Sequence, residues 1–287
     1  MKKLLAVVLL LAVSAGACFA DGGGGKLIEG YLAYSNMFVE EYRDFVYEAH
    51  DNNVWEHYIN IDPTYSAYTK HQSDEVVAFD SITEMLMALD AGKLHIIELP
   101  ESVGKYLLRQ SHNTDKYITC HYIKGVDYYL SMGFKEGSKW IEPFNAAIKA
   151  MNEDDTLLLL KAKYVDYAKD TPKPIVFEKF PDAETVKIAV TGDMPPIDYI
   201  AADGTPAGFN TALLAEIGKR LKVNIELLSV NAGARAAALA SGRADGVFWF
   251  WFDKATKTPR DVPAGVSLTE PYYTYDTIMY IGKKISK

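Results

Sequence analysis

Cysteine is scarce in this chain: two residues in 287, one of them, Cys18, within the first twenty positions. A disulfide framework is therefore not what holds the protein together. Beyond the N-terminus no apolar run is long enough to span a membrane as a helix. Positive charge is also in deficit, with 30 Lys and Arg against 38 Asp and Glu and a formal net charge of −8. No basic patch stands out, so nucleic acid and anionic membranes are not expected partners. Gly-x-Ser-x-Gly, phosphate-loop and His-Glu-x-x-His patterns are missing. The six His are scattered without metal-ligand spacing. His50 and His57 could share a helix face, but solvated or packed imidazoles are the expectation. Neither a catalytic residue, a metal nor a cofactor is expected.

What is present starts with Met1, Lys2 and Lys3, an apolar stretch over 4–13, and Ala17-Cys18-Phe19-Ala20. A charged start, a short apolar core and a small residue at the cut predict a signal peptide removed after Ala20. A rival reading makes Cys18 the lipidated cysteine of a lipoprotein, although the Leu usual three residues earlier is missing. Residues 21–26 are then a Gly-rich segment, and either reading places the protein outside the cytoplasm, in the periplasm or its equivalent. Cleavage would leave Cys120 without an internal partner and bring the charge to −8 − 2 = −10. About 265 residues, nearly half of them apolar, suffice for two domains.

Residues 186–252 are the most informative. Val186-Lys187-Ile188-Ala189-Val190 alternates and is β-branched, as a strand does. Thr191-Gly192-Asp193-Met194-Pro195-Pro196 interrupts it, because Gly and paired Pro oppose further pairing. After Tyr199 and a turn at Asp203-Gly204 comes Gly208-Phe209-Asn210. Asn210 suits the N-cap of a helix carrying Leu213, Leu214, Ile217 and Leu221 at helical spacing. A strand over 224–230, a helix ending at Ser241-Gly242 and a strand over 246–252 complete a βαβαβ unit.

The order of these features resembles the first lobe of bacterial periplasmic solute-binding proteins of the polar-amino-acid type, extracellular solute-binding family 3. Carrying it are Pro-Pro with an aromatic, Asp-Gly, Gly-Phe-Asn, and Ala-Leu-x-Ser-Gly-Arg-x-Asp over 238–245. Thr269-Glu270-Pro271-Tyr272-Tyr273 is similar to that lobe's closing entry. Each motif alone is weak; five in order over about a hundred residues are specific. The resemblance implies a two-lobed α/β fold of the type II periplasmic-binding-protein kind. It also implies capture of a small-molecule solute, amino-acid-like or an amine, for the membrane permease of an ABC importer. A monomer is expected.

Earlier in the chain, Val76-Val77-Ala78-Phe79 reads as a strand and Ser81-Ile82-Thr83-Glu84 as a capping box. Ile82, Met85, Leu86 and Leu89 form a buried stripe, Gly92 ends the helix, and a strand returns over 94–99. Residues 88–93 echo 238–243, and His95 stands where Asp245 does. Two lobes built from similar units explain the echo. Residues 130–137, 144–148, 152–157 and 163–164 are similar to the second lobe of the same family. Relatives usually carry Gly at the position of Asp155, which predicts a less tight turn there. Residues 26–75 resemble no family; an amphipathic helix fits 37–49, capped by Asn36, and the many Tyr read as lobe-surface packing.

Lobe-two material thus precedes lobe-one material, the connectivity of a circular permutation; a damaged tandem duplication would read the same. The expected domains are 27–168 and 186–287, joined by a Pro-containing linker over 169–185 with Thr171-Pro172-Lys173-Pro174.

Ligands of such sheets lie beyond the C-terminal strand ends, and two lobes would hold one between them. The loop bearing Asp193, Asp198 and Tyr199 follows the first lobe-one strand. Relatives place an aromatic cover here; Ile197 occupies its position, leaving Tyr199 as the candidate platform, against simple packing. Asn210 opens the next helix. Phe248-Trp249-Phe250-Trp251-Phe252 replaces the small residues of relatives. Strict alternation would put Trp249 and Trp251 on one face, as an aromatic wall for a ring or cation, or inside a fully buried strand. The resemblance implies a guanidinium for a ligand carboxylate, with Arg260 after Thr258-Pro259 or Arg235 as bearer. It implies an acid for the ligand's amino group, with Glu98 or Glu101 in place. Two other classes stay open: a degenerate lobe acting as a sensor, and a dehydratase- or glycan-lyase-like enzyme using Glu101 with His95.

Overall fold

A computed structural model describes residues 28–32, 75–168, 174–231, 234–253 and 262–284. The signal peptide, Cys18, the 21–26 segment, the helix over 37–49, Thr171-Pro172-Lys173 and Arg260 lie outside the described residues. The chain divides into two compact units. The first holds residues up to Val126 together with 276–287, and the second holds 127–275. These bounds differ from the expected 27–168 and 186–287. The helices after residue 140 and the segment at 174–185 fall in the second unit, and the last strand falls in the first. No helix among the described residues is long and apolar enough to cross a membrane.

In the first unit, β1 (Ile28–Leu32) pairs in parallel with β2 (Glu75–Phe79) on one side and β3 (Ile96–Pro100) on the other. The final strand, β12 (Tyr273–Lys283), runs antiparallel to β3, with Ile278 opposite Pro100 and Gly282 opposite Ile96. Helix α1 (Ile82–Asp90) joins β2 to β3, and Glu84 N–H donates to Ser81 Oγ at 3.2 Å, the forward half of the capping box. Helix α2 (Glu101–Arg109) follows β3 at once and buries Val103, Tyr106 and Leu107. Cys120 is buried on β4 (Tyr117–Lys135).

The second unit repeats the plan. β5 (Thr185–Val190) lies between β9 (Asn224–Ser229) and β10 (Gly246–Asp253), all parallel. β4 closes against β10 antiparallel and also carries β11 (Val266–Leu268). A small sheet of β6 (Asp193–Met194), β7 (Asp198–Ile200) and β8 (Pro206–Ala207) folds within the link from β5 to α5 (Phe209–Leu221). Helices α3 (Ile141–Glu153) and α4 (Thr156–Lys161) belong here too, and α6 (Arg235–Ala240) leads to β10. Phe134, Phe144, Leu213 and Phe248 are fully buried in this unit's core. At 150–250 Å² apiece, such aromatic side chains dominate its burial energy.

The sequence echo is structural. Gly92 and Gly242 both end their helices at positive φ, +70° and +72°, where a Cβ would be strained. Three residues on, His95 N–H donates to Ile28 O at 2.9 Å while its Nδ1 accepts from Ile28 N–H at 3.0 Å. Asp245 does the same for Lys187: N–H to O at 2.8 Å, and Oδ2 accepting from N–H at 2.8 Å. In each unit this joint fixes the returning loop to the module's first strand. The expectation about Asp155 fails. It adopts φ +61°, the left-handed conformation a Gly would take, and the turn stays tight. Arg220 from α5 secures it by donating to Asp154 Oδ2 at 2.8 Å and Thr156 Oγ1 at 2.9 Å.

Candidate functional site

Within each unit the module's first strand is central, its second lies on one side and its third on the other. The chain therefore reverses direction across the sheet between the first and third strands. Open α/β sheets bind ligands beyond the C-terminal ends of strands at such a point. In the second unit that point lies past Val190 of β5 and beside the far end of β10. The loop at 191–199, the start of α5 and the start of α6 all follow C-terminal strand ends.

Asp198 organises the loop. Its side chain is buried, and Oδ2 accepts from Thr191 N–H at 3.2 Å, Thr191 Oγ1 at 3.3 Å and Gly192 N–H at 3.3 Å. Burial pushes its carboxyl up to about 6 from 3.8; the Gly192 and Thr191 bonds oppose this, and the nearby Asp193 charge adds to it. Asp193 sits on β6 directly opposite Tyr199 of β7, both partly exposed. The Pro195–Pro196 bond between the two strands is cis. Gly208, not Asn210, is the N-cap of α5, at φ +99°. A Cβ there would stand 2.6 Å from Pro196 O and 2.7 Å from Ile197 O, so only Gly admits this close approach.

Freed from capping, Asn210 is fully buried, and neither atom of its amide makes a hydrogen bond among the described residues. The Tyr272 hydroxyl is in the same condition. Burial raises that phenol well above its usual range, reinforced by the charge of Asp198 and countered by Asn210 and by Arg235. The amide is thus near enough to act on the phenol, although hydrogen-bond geometry is met by neither. Arg235, 7% exposed, opens α6. Asp198, Asn210 and Arg235, three residues singled out in the sequence, therefore act electrostatically on Tyr272, and Asp193 acts on Asp198. Tyr272 was read only as part of a strand entry; its ring packs on Phe209 at 6.3 Å and on Phe248 at 5.2 Å. Each buried orphan donor or acceptor costs about 1–3 kcal/mol unless a guest satisfies it.

The strand of aromatics departs from expectation. Between Val247 and Phe250 the register against β4 shifts by one residue, a β-bulge. Strict alternation is broken there, so Trp249 and Trp251 cannot be assigned a face by counting from Phe248, which is fully buried. The side chains of both Trp lie outside the described residues.

In the first unit, Glu98 and Glu101 separate. Glu101 stands just past the end of β3, at the start of α2, and pairs with Lys105 at 2.8 Å. Glu98 lies within β3 and accepts from Tyr280 Oη at 3.0 Å. Burial lifts its carboxyl to about 8 from 4.5, the charge of Glu29 on β1 adding to the shift, Tyr280 opposing it, and a Glu29 hydrogen bond adding again. Glu29 itself is buried, and its charge disfavours ionisation of Glu98. Nothing in the sequence pattern pointed to Glu29. No cluster of His, Cys, Asp or Glu among the described residues could hold a metal ion.

Residues 186–287 match the family model described as bacterial extracellular solute-binding proteins, family 3. Over this stretch, about a third of the 287 residues, the chain is similar to that family. The stretch spans β5 to the C-terminus and contains Asp193, Asp198, Asn210, Arg235 and Tyr272. The proteins of that family are described as extracellular and solute-binding. No curated protein sequence matches the chain. Among solved structures, the ligand-binding component of an ABC-type import system from Staphylococcus aureus, with zinc bound, is 12% identical. It covers 88% of this chain and 65% of its own, at a TM-score of 0.41. The periplasmic aliphatic sulphonate binding protein SsuA from Escherichia coli is 11% identical, over 91% and 65%, at 0.39. The oxidised form of OxyR is 12% identical, over 90% and 86%, at 0.40. The chain spans only 65% of the two import-related proteins, and none of these likenesses assigns it a ligand. The α/β class and the two units agree with the expected type II periplasmic-binding-protein-like fold.

Proposed function

We propose that the chain captures a small solute bearing ammonium and carboxylate groups, or an amine, for an ABC-type importer outside the cytoplasm. The observation that carries this reading is the grouping of Asp198, Asn210 and Arg235 around Tyr272, with Asp193 beside Asp198, in a segment that matches the family 3 model and beyond the C-terminal strand ends. Arg235 supplies a guanidinium for a carboxylate, with Arg260 as the alternative bearer, and Asp193 an acceptor for an ammonium. Tyr199, opposite Asp193, is the platform, with Trp249 and Trp251 as an aromatic wall. Of the two first-unit acids, Glu101 is favoured over Glu98, because Glu98 is committed to Glu29 and Tyr280. The permuted lobe order, the linker over 169–185 and a monomeric state complete the proposal.

A panel of amino acids and amines screened by thermal shift tests it. A ligand at one hundred times its Kd adds about 2.7 kcal/mol of stability, a readily measured rise in Tm. Arg235→Ala should weaken only ligands with a carboxylate, and Asp193→Asn or Glu101→Gln only those with an amine. Trp251→Ala should lower affinity about tenfold, ~1.4 kcal/mol, if the indole is part of the wall. A panel in which no member shifts Tm at millimolar concentration refutes capture of this class.

A further inference from the structure

The second unit contains a cavity of about 870 Å³ between α3, α4 and the segment leading into β12; it shares Tyr272 and Phe209 with the candidate site but none of that site's charged residues. Its volume is that of a small-molecule site. Aromatic rings form much of the wall: Tyr129, Phe209, Tyr272 and Tyr273. Leu158 adds an apolar side chain that is 62% exposed although it belongs to a helix.

Charge decides what chemistry fits. Two lysines line the cavity, but each is engaged by an acid outside it: Lys149 by Glu153 at 3.9 Å and Lys161 by Asp166 at 2.7 Å. Two acids also line it, Glu142 from α3 and Glu270 from the β12 approach. Neither carboxylate makes a hydrogen bond or ion pair among the described residues. Glu270 is held only through its backbone, whose N–H donates to Asn145 Oδ1 at 2.8 Å. The uncommitted charge is therefore negative, beside rings whose faces attract cations. An anion would meet two carboxylates and no free counter-charge.

We propose that this cavity is a second binding site, for a small organic ammonium ion with an apolar body, sharing the Tyr272 and Phe209 rings with the solute site but using different charged groups. The ammonium lies between Glu142 and Glu270, and the apolar body rests on the Tyr and Phe wall. The site does not depend on the proposed solute function. An amine solute would use Asp193 and Glu101, whereas this site uses neither.

Titration of the full chain with benzylammonium, benzyl alcohol and benzoate, followed by calorimetry, tests the proposal. Benzylammonium should bind saturably, with benzoate and the neutral alcohol at least tenfold weaker. Glu142→Gln and Glu270→Gln should each weaken benzylammonium about threefold or more, and the double variant at least tenfold. Both positions are exposed, so these variants should fold as the parent does, which an unchanged Tm would check. Lys161→Ala should leave benzylammonium binding intact, because Lys161 is already paired with Asp166. Benzoate binding as tightly as benzylammonium overturns the proposal. So does full affinity in the double variant.

Discussion

Glu98→Gln isolates the energetics of the paired carboxyls in the first unit. Glu29 and Glu98 sit on neighbouring parallel strands, and Tyr280 donates to Glu98 from the antiparallel strand on the other side. Desolvation is the main cause of the raised Glu98 value, so the charged form is the costly one in the folded state. For a carboxyl raised on folding, the stabilising contribution is complete below the unfolded value of 4.5. It is lost as pH rises through the folded value of about 8. Those values differ by 8 − 4.5 = 3.5 units, and at ~1.4 kcal/mol per unit the ceiling is about 5 kcal/mol. Glu98 keeps partial contact with water, which lowers the working figure to about half of that. Gln retains an acceptor for Tyr280 and supplies a permanent donor for Glu29, mimicking the protonated state. Urea midpoints of ligand-free parent and variant, taken at half-unit steps from pH 4.5 to 9, should coincide at the acid end. They should diverge progressively toward alkaline pH, the variant ending about 2–3 kcal/mol more stable than the parent. A constant gap across the range, or a variant that loses stability with pH as steeply as the parent, would refute the raised Glu98 carboxyl.

Asp198→Asn should abolish a similar but lower window: raised to about 6 from 3.8, this carboxyl contributes fully below 3.8 and loses its contribution by pH 6. The parent-minus-variant stability difference between pH 4 and 6 reads it. Asp198→Ala should cost about 2–4 kcal/mol in urea melts near pH 4, because the Thr191 and Gly192 donors lose their acceptor, and less above pH 6. Gly208→Ala should cost about 3 kcal/mol or more by the same measurement, from a φ of +99° and a Cβ driven into Pro196 O. Arg220→Ala should cost about 1–2 kcal/mol, and hydrogen exchange should rise first at the α3–α4 turn that Arg220 secures.

The regular elements were legible where periodicity and punctuation agree. Residues 186–190, the apolar spacing of Leu213, Leu214, Ile217 and Leu221, and the Ser81–Glu84 cap all appear in place. So does the pairing of positions 95 and 245, because a repeated joint leaves a repeated sequence. Departures arise where a local rule met a tertiary one. Asn210 is a good cap by type, yet the approach of Pro196 O reserves the cap for Gly208, which sends Asn210 into the interior. Alternation along 248–252 fails at a bulge, which no residue pattern announces. Asp155 takes the conformation of the Gly it replaces, since Arg220, 64 positions away from Thr156, holds the turn. Glu29 and Tyr272 were missed because their significance lies in partners far along the chain: Glu98 for one, Asn210 and Arg235 for the other.

The matched joints at His95 and Asp245 are one mechanical part made from two materials. A carboxylate accepts through either oxygen and has no hydrogen to misplace. An imidazole accepts only through the nitrogen that carries none, so the Ile28 bond demands that the ring's hydrogen reside on Nε2. The second unit's first strand is therefore latched by a fitting indifferent to tautomer, and the first unit's by one that discriminates. Exchanging the two side chains, His95→Asp with Asp245→His, would transfer that sensitivity from β1 to β5 while leaving both strand registers in place.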